Sequence, residues 1–85
     1  MIKVRCLGHI GSSLGKEEVS IEGNDLEAAD IVERLRAMVR TGEPGFNRFN
    51  TLALVEDGEA FVPAATKRRV KDGETLILIP FSHGG

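Results

Sequence analysis

The sequence predicts an α+β fold in the order β-β-α-β-β, and three observations carry that prediction. Apolar residues alternate near both ends of the chain. One long segment between them has helical spacing, and an Asp-Gly pair sits between two strand-like runs in the second half. The 85 residues fit one domain. A chain of this size buries only about 60–65% of its unfolded surface, so one modest core is expected, with little room for an enclosed, many-layered active site.

Residues 2–10 alternate, with Ile2, Val4, Cys6 and Ile10 on one face and Lys3, Arg5, Leu7 and His9 on the other. Gly11-Ser12-Ser13-Leu14-Gly15 reads as a glycine-bounded turn. Glu18 to Glu22 alternates again with Val19 and Ile21 inward, so the first two strands form a hairpin. Asn24 or Asp25 is suited to cap the next element, because a short Asx oxygen reaches the free N–H groups of a first helical turn. From Leu26 to Arg40, Ala28, Ile31, Val32, Leu35, Met38 and Val39 share a stripe at helical spacing. Asp25, Glu27 and Asp30 lie early and Arg34, Arg36 and Arg40 late, which complements the helix dipole. Asp30 and Arg34 have the spacing of an i,i+4 pair. Thr41-Gly42 ends the helix.

Residues 41–50 make a long loop, a length often associated with function or mobility. Phe46 and Phe49 are expected to pin it to the domain, with a partner contact as the alternative. Leu52 to Glu56 is the third strand, Asp57-Gly58 a hairpin turn and Ala60-Phe61-Val62 the return strand. Residues 63–74 are turn-like, and Thr75 to Phe81 is the last strand. The domain therefore occupies residues 1–81, followed by a flexible tail, 82–85.

Composition narrows the function classes. The net charge is −2 with both signs dispersed, unlike the dominant basic face of a general nucleic-acid binder. The one basic stretch, Lys67, Arg68, Arg69 and Lys71, reads as a solvated turn, with partner docking as the alternative. A single cysteine, Cys6, makes no internal disulfide. Lys3 and Arg5 interrupt the apolar N-terminal segment, which is not a signal peptide, and no run approaches the roughly 20 apolar residues of a membrane span. A cytoplasmic location without membrane partners is expected.

Side-chain chemistry is sparse. His9 and His83 lie in no metal-ligand spacing, and the glycines of residues 11–15 precede no GK[ST] sequence. Cys6 shares the inward parity of Ile2 and Val4, where apolar surroundings make a thiol inert. The final segment is different: from Thr75 to Gly85 no side chain carries a formal charge. Leu76 and Leu78 fit an inward face, leaving Ile77 and Ile79 outward beside Leu7 as an apolar partner patch, unless another element covers them. Pro80 lacks an N–H, so regular pairing should fade there. Phe81, Ser82, His83, Gly84 and Gly85 then form a tail whose Gly-Gly end, lacking Cβ atoms, suits a narrow channel.

The block LALVEDGEAFVPAATKRRVKDGETLILIPFSHGG, Leu52 to Gly85, resembles the ubiquitin-like sulfur carriers, most closely the MoaD family, the small subunit of molybdopterin synthase, and the related ThiS-like carriers. The shared features are the DG hairpin, the VP turn, K-D-G-E before the last strand, the proline at its end and the terminal GG. The resemblance implies a β-grasp fold, a mixed sheet curled over one helix with its first and last strands adjacent and parallel. It also implies a non-catalytic sulfur carrier. An E1-like adenylyltransferase, using its own ATP and magnesium, adenylates the Gly85 carboxylate. A sulfur donor converts it to a thiocarboxylate, and the large synthase subunit uses that sulfur for the dithiolene of molybdopterin. The carrier itself binds no cofactor or metal. Phe81-Ser82-His83 departs from the smaller or apolar residues usual there. The same chemistry fits carriers for thiamine synthesis or tRNA thiolation, or a modifier conjugated to lysines, and a plain interaction module is the reading from another class.

Overall fold

The computed structural model describes residues 1–56, 58 and 60–81. The chain begins with strand β1 (Ile2–Cys6), helix α1 (His9–Leu14), strands β2 (Glu18–Ile21) and β3 (Asp25–Glu27), and helix α2 (Ala28–Arg36). It continues through β4 (Thr51–Val55), β5 (Val62–Pro63), β6 (Arg69–Lys71) and β7 (Thr75–Pro80). Five strands form one sheet in the order β2-β1-β7-β4-β5, and β3 pairs with β6 in a separate ladder.

β7 is the central strand because it has apolar side chains on both faces. It runs parallel to β1, with Val4 opposite Leu76 and Cys6 opposite Leu78, and antiparallel to β4, with Ala53 opposite Leu78. This is the adjacent, parallel first-and-last-strand arrangement of a β-grasp. The inward residues Ile2, Val4, Ala53, Leu76 and Leu78 are fully buried, as are Ala28, Ile31, Val32 and Leu35 of α2. One stripe of the helix thus closes one face of the sheet, the layer pairing expected of a small α+β domain.

Several expectations are corrected. The first strand stops at Cys6, and residues 9–14 are a short helix rather than a turn. This keeps Ile10 buried, but as a helical residue. Gly11 permits the close approach, since a Cβ there would lie 2.6 Å from the Cys6 carbonyl oxygen. β1 and β2 still pair antiparallel. The long helix is shorter at both ends. Asp25 to Glu27 pair with Lys71 to Arg69, so neither Asn24 nor Asp25 caps α2, and Glu27 occupies the N-cap without a side-chain bond. Ala37 is the C-cap, and Met38 is exposed. The Asp30–Arg34 pair does not form among the described residues: Arg34 donates to the Glu22 carbonyl and Arg36 pairs with Glu33.

The basic stretch is also not simply a turn. Arg69 Nε donates to Asp25 Oδ1 at 2.9 Å and Nη2 to the Asp25 carbonyl at 3.2 Å, clamping β6 to β3. Val70 between these cations is fully buried. β4 and β5 pair antiparallel, as a hairpin requires, but the return strand is Val62–Pro63, later and shorter than expected. Asp57 of the expected turn lies outside the described residues.

Pro80 remains in β7, opposite Thr51, and the next residue continues the ladder, with the Phe81 N–H donating to the Asn50 carbonyl at 2.8 Å. Pairing stops on the other side. The Leu78 carbonyl accepts from the Leu7 N–H at 2.9 Å, so by alternation the nitrogen of Pro80 also faces β1. There the missing donor costs nothing, because β1 has ended. Gly8 fills that position with φ +60°, and a Cβ on it would come within 2.9 Å of Pro80 Cγ. The fading expected at Pro80 therefore occurs on the β1 side alone.

Two substitutions test this packing. Leu78→Ala should lower unfolding free energy by about 2–5 kcal/mol through loss of buried contacts. Gly8→Ala should cost about 1–3 kcal/mol through positive φ and the clash with Pro80. The chain has no Trp or Tyr, so urea unfolding followed by far-ultraviolet circular dichroism is the appropriate measurement.

Candidate functional site

The face of the sheet opposite α2 carries an apolar strip whose residues are fixed by strand register. Leu54 faces Ile77 and Leu52 faces Ile79 across the β4–β7 ladder. Arg5 faces Ile77 across the β1–β7 ladder, and Leu7 continues β1 toward the end of β7. The expected Ile77, Ile79 and Leu7 are therefore neighbours. Leu7 is exposed, but the two isoleucines are half-buried rather than open, because Leu52 and Leu54 flank them. These two leucines were not among the sequence candidates. Their signal was present in the alternation of LALVE, which puts Ala53 and Val55 inward and both leucines outward.

Phe81 follows Ile77 and Ile79 on the outward parity and is 40% exposed. Its backbone N–H donates to the Asn50 carbonyl at 2.8 Å, so Phe81 is bonded to the body of the domain. Ser82, His83, Gly84 and Gly85 lie outside the described residues. His9 is exposed at the start of α1 rather than on a strand face.

The loop of residues 41–50 is tied down at several points. Ser13 Oγ donates to the Pro44 carbonyl at 2.6 Å, and Phe46 is buried. Asn47 and Asn50 lock each other: the Asn47 N–H donates to Asn50 Oδ1 at 2.7 Å, and the Asn50 N–H donates to Asn47 Oδ1 at 3.1 Å. Phe46 pins the loop as expected. Phe49 does not: it is 64% exposed, with the Arg48 guanidinium 4.9 Å from its ring centroid.

An open groove of about 490 Å³ lies beside the end of β1, lined by Leu7, Gly8, Ser12, Lys16 and Arg40 among others. Arg40 is already committed there, donating to the Ser12 carbonyl at 2.7 Å and to Glu43 at 3.3 Å. Among the described residues no cluster of three His, Cys, Asp or Glu side chains is placed to hold a metal, and no helix is long and apolar enough to cross a membrane. Cys6 is buried in the core, and desolvation pushes its thiol up to about 11.

No family model and no curated protein matches the chain. Solved structures do. The crystal structure of SAMP1 from Haloferax volcanii superposes with a TM-score of 0.58 at 15% identity, covering 99% of this chain and 98% of that one. A second crystal structure, of H. volcanii small archaeal modifier protein 1, gives 0.57 at 13% identity, covering 95% and 97%. The shared architecture is the ubiquitin-like β-grasp, which is the fold of this chain.

Cys6 supplies a test of the core. A thiol pKa raised by burial stabilises the fold below the ordinary thiol value, about 8.5, and that contribution is lost as pH rises through about 11. The urea midpoint of the parent should therefore fall between about pH 9 and 11 more steeply than that of Cys6→Ala. Alkylation of native Cys6 at pH 8 should be at least about a hundredfold slower than in denaturant, since the thiol reacts only through opening.

Proposed function

We propose that the chain is a sulfur carrier of the molybdopterin-synthase small-subunit type, acting through the carboxylate of Gly85. The observation that carries this reading is the apolar strip of Leu52, Leu54, Ile77, Ile79 and Leu7, which leads along the sheet to Phe81, the root of a Gly-Gly end. Such a strip offers a partner a docking area beside the segment it must take up. The β-grasp likeness to the modifier structures supports the same reading.

The chemistry follows from the weak electrophilicity of a carboxylate. A Gly85 carboxylate oxygen attacks the α-phosphorus of ATP held by an E1-like adenylyltransferase, and pyrophosphate leaves. The terminal sulfur of a persulfide donor then attacks the acyl carbon and AMP leaves, giving an acyl disulfide. A thiol attacks the donor-side sulfur of that bond, leaving a thiocarboxylate on Gly85 and a disulfide on the donor. Splitting the substitution in two replaces an impossible oxide leaving group with a good one. ATP and magnesium belong to the activating enzyme. The large subunit of molybdopterin synthase then takes the tail and transfers the sulfur. The chain supplies a slim end and a docking face, and no catalytic side chain. It operates in the cytoplasm without nucleic acid or membrane.

A second reading has a specific observation behind it. The neighbours of similar fold are described as small archaeal modifier protein, so attachment of Gly85 to a lysine amine through the same acyl-adenylate is the alternative fate. Thiamine or tRNA thiolation would differ only in the acceptor of the sulfur.

Incubation with ATP, an E1-like enzyme and a sulfur donor should add about 16 Da at Gly85, one oxygen exchanged for sulfur, by intact-mass spectrometry. Deleting Gly84-Gly85 should abolish the change, and Ile77→Arg should raise the KM for the chain by at least about tenfold. Absence of any mass change with an enzyme encoded beside the chain's gene would count against the carrier. Gly85 remnants on cellular lysines, without the thiocarboxylate, would favour the modifier.

A further inference from the structure

We propose that Arg48 and Phe49 form a preorganised second docking element for the enzyme that adenylates Gly85, binding a carboxylate beside an apolar pocket near the mouth of its tail channel; this rests on the carrier reading above. Four observations lead to it. First, Phe49 is the most exposed aromatic side chain among the described residues, at 64%, and so does nothing for the core. Second, Arg48 stacks over that ring at 4.9 Å and, like Arg5, Arg34 and Arg68, forms no ion pair among the described residues. Third, the backbone that carries the pair is fixed by the Asn47–Asn50 lock and by a further bond from the Phe49 N–H to Asn47 Oδ1 at 2.8 Å. Fourth, Asn50 accepts from the Phe81 N–H, so the pair adjoins in sequence the residue that bonds Phe81.

The chemistry of the occupant follows from the two side chains. A guanidinium offers a planar fork of donors that matches a carboxylate, and it is weakly enough hydrated to be used at interfaces. The phenyl ring beneath needs an apolar pocket. Aromatic residues and Arg are enriched at protein interfaces, where fixing them beforehand lowers the ordering cost of association. A loop held at Pro44, Phe46, Asn47 and Asn50 has that ordering already in place. The position at the root of the tail means that a protein engaging residues 82–85 must pass close to the pair.

The test uses the full chain and the adenylating enzyme that gives the mass change at Gly85. Phe49→Ala and Arg48→Gln should each raise the KM for the chain by at least about tenfold with kcat unchanged. Their thermal midpoints should stay within a few degrees of the parent, because the side chains are exposed. Arg36→Gln, which removes one cation from the solvent side of α2, should leave KM unchanged. Added salt should raise the KM of the parent more than that of Arg48→Gln, because screening acts on the ion pair that the substitution removes. Parent-like KM values for both loop variants would overturn the docking role while leaving the Gly85 chemistry standing. An equal effect of Arg36→Gln would overturn it in favour of net charge. Failure of the parent itself to be adenylated would remove both readings.

Discussion

The structure depends on β7 being held from both sides and on both faces. Its inward leucines meet the helix, its outward isoleucines meet Leu52 and Leu54, and its two edges pair with β1 and β4. A strand apolar on both faces is poorly specified by pattern alone, since a slip of one residue exchanges leucines for isoleucines. Its register is set by its ends. The Lys3 N–H donates to the Glu74 carbonyl at the start, and Pro80 seats against Gly8 where β1 finishes. Fixing that register fixes where the chain after Phe81 begins.

The same constraint brings distant parts of the sequence to one end of the sheet. Leu7 and Gly8 arrive there from β1, Asn50 from the loop before β4, and Pro80 and Phe81 from β7. Their proximity comes from strand pairing, so it is as rigid as the sheet. The proposed carrier role would use this construction, since a firm platform would stay outside while a slim end enters another protein's nucleotide site.

Much of this was legible in the sequence where the cause was local. Alternation in Ile2 to Cys6, Glu18 to Ile21 and Thr75 to Ile79 marked three strands, and the Ala28–Ile31–Val32–Leu35 stripe marked the helix. What was missed depends on pairing between remote residues. Asp25 to Glu27 looked like a helix start because their acids suit one, yet Arg69 to Lys71 draw them into a ladder. The helix at His9–Leu14 contains Gly11, Ser12 and Ser13, weak helix formers, and it forms where the chain crosses the sheet end with Gly11 against Cys6. Leu52 and Leu54 were visible as alternating residues, but only register shows that they flank Ile77 and Ile79. The roles of Phe46 and Phe49 could not be separated by composition, since one faces the core and the other solvent. The tail was legible only as Gly-Gly, and residues 82–85 lie outside the described residues.

The central claim is that the Gly85 carboxylate is the reacting group, and adenylation can be isolated from every later step. Isotope exchange between pyrophosphate and ATP, catalysed by the E1-like enzyme, measures the reversible attack of that carboxylate on ATP before any sulfur is present. The account predicts exchange that depends on the chain and disappears when Gly85 carries a C-terminal amide, although the folded body is unchanged. Exchange that persists with the amide, or that never requires the chain, would contradict it.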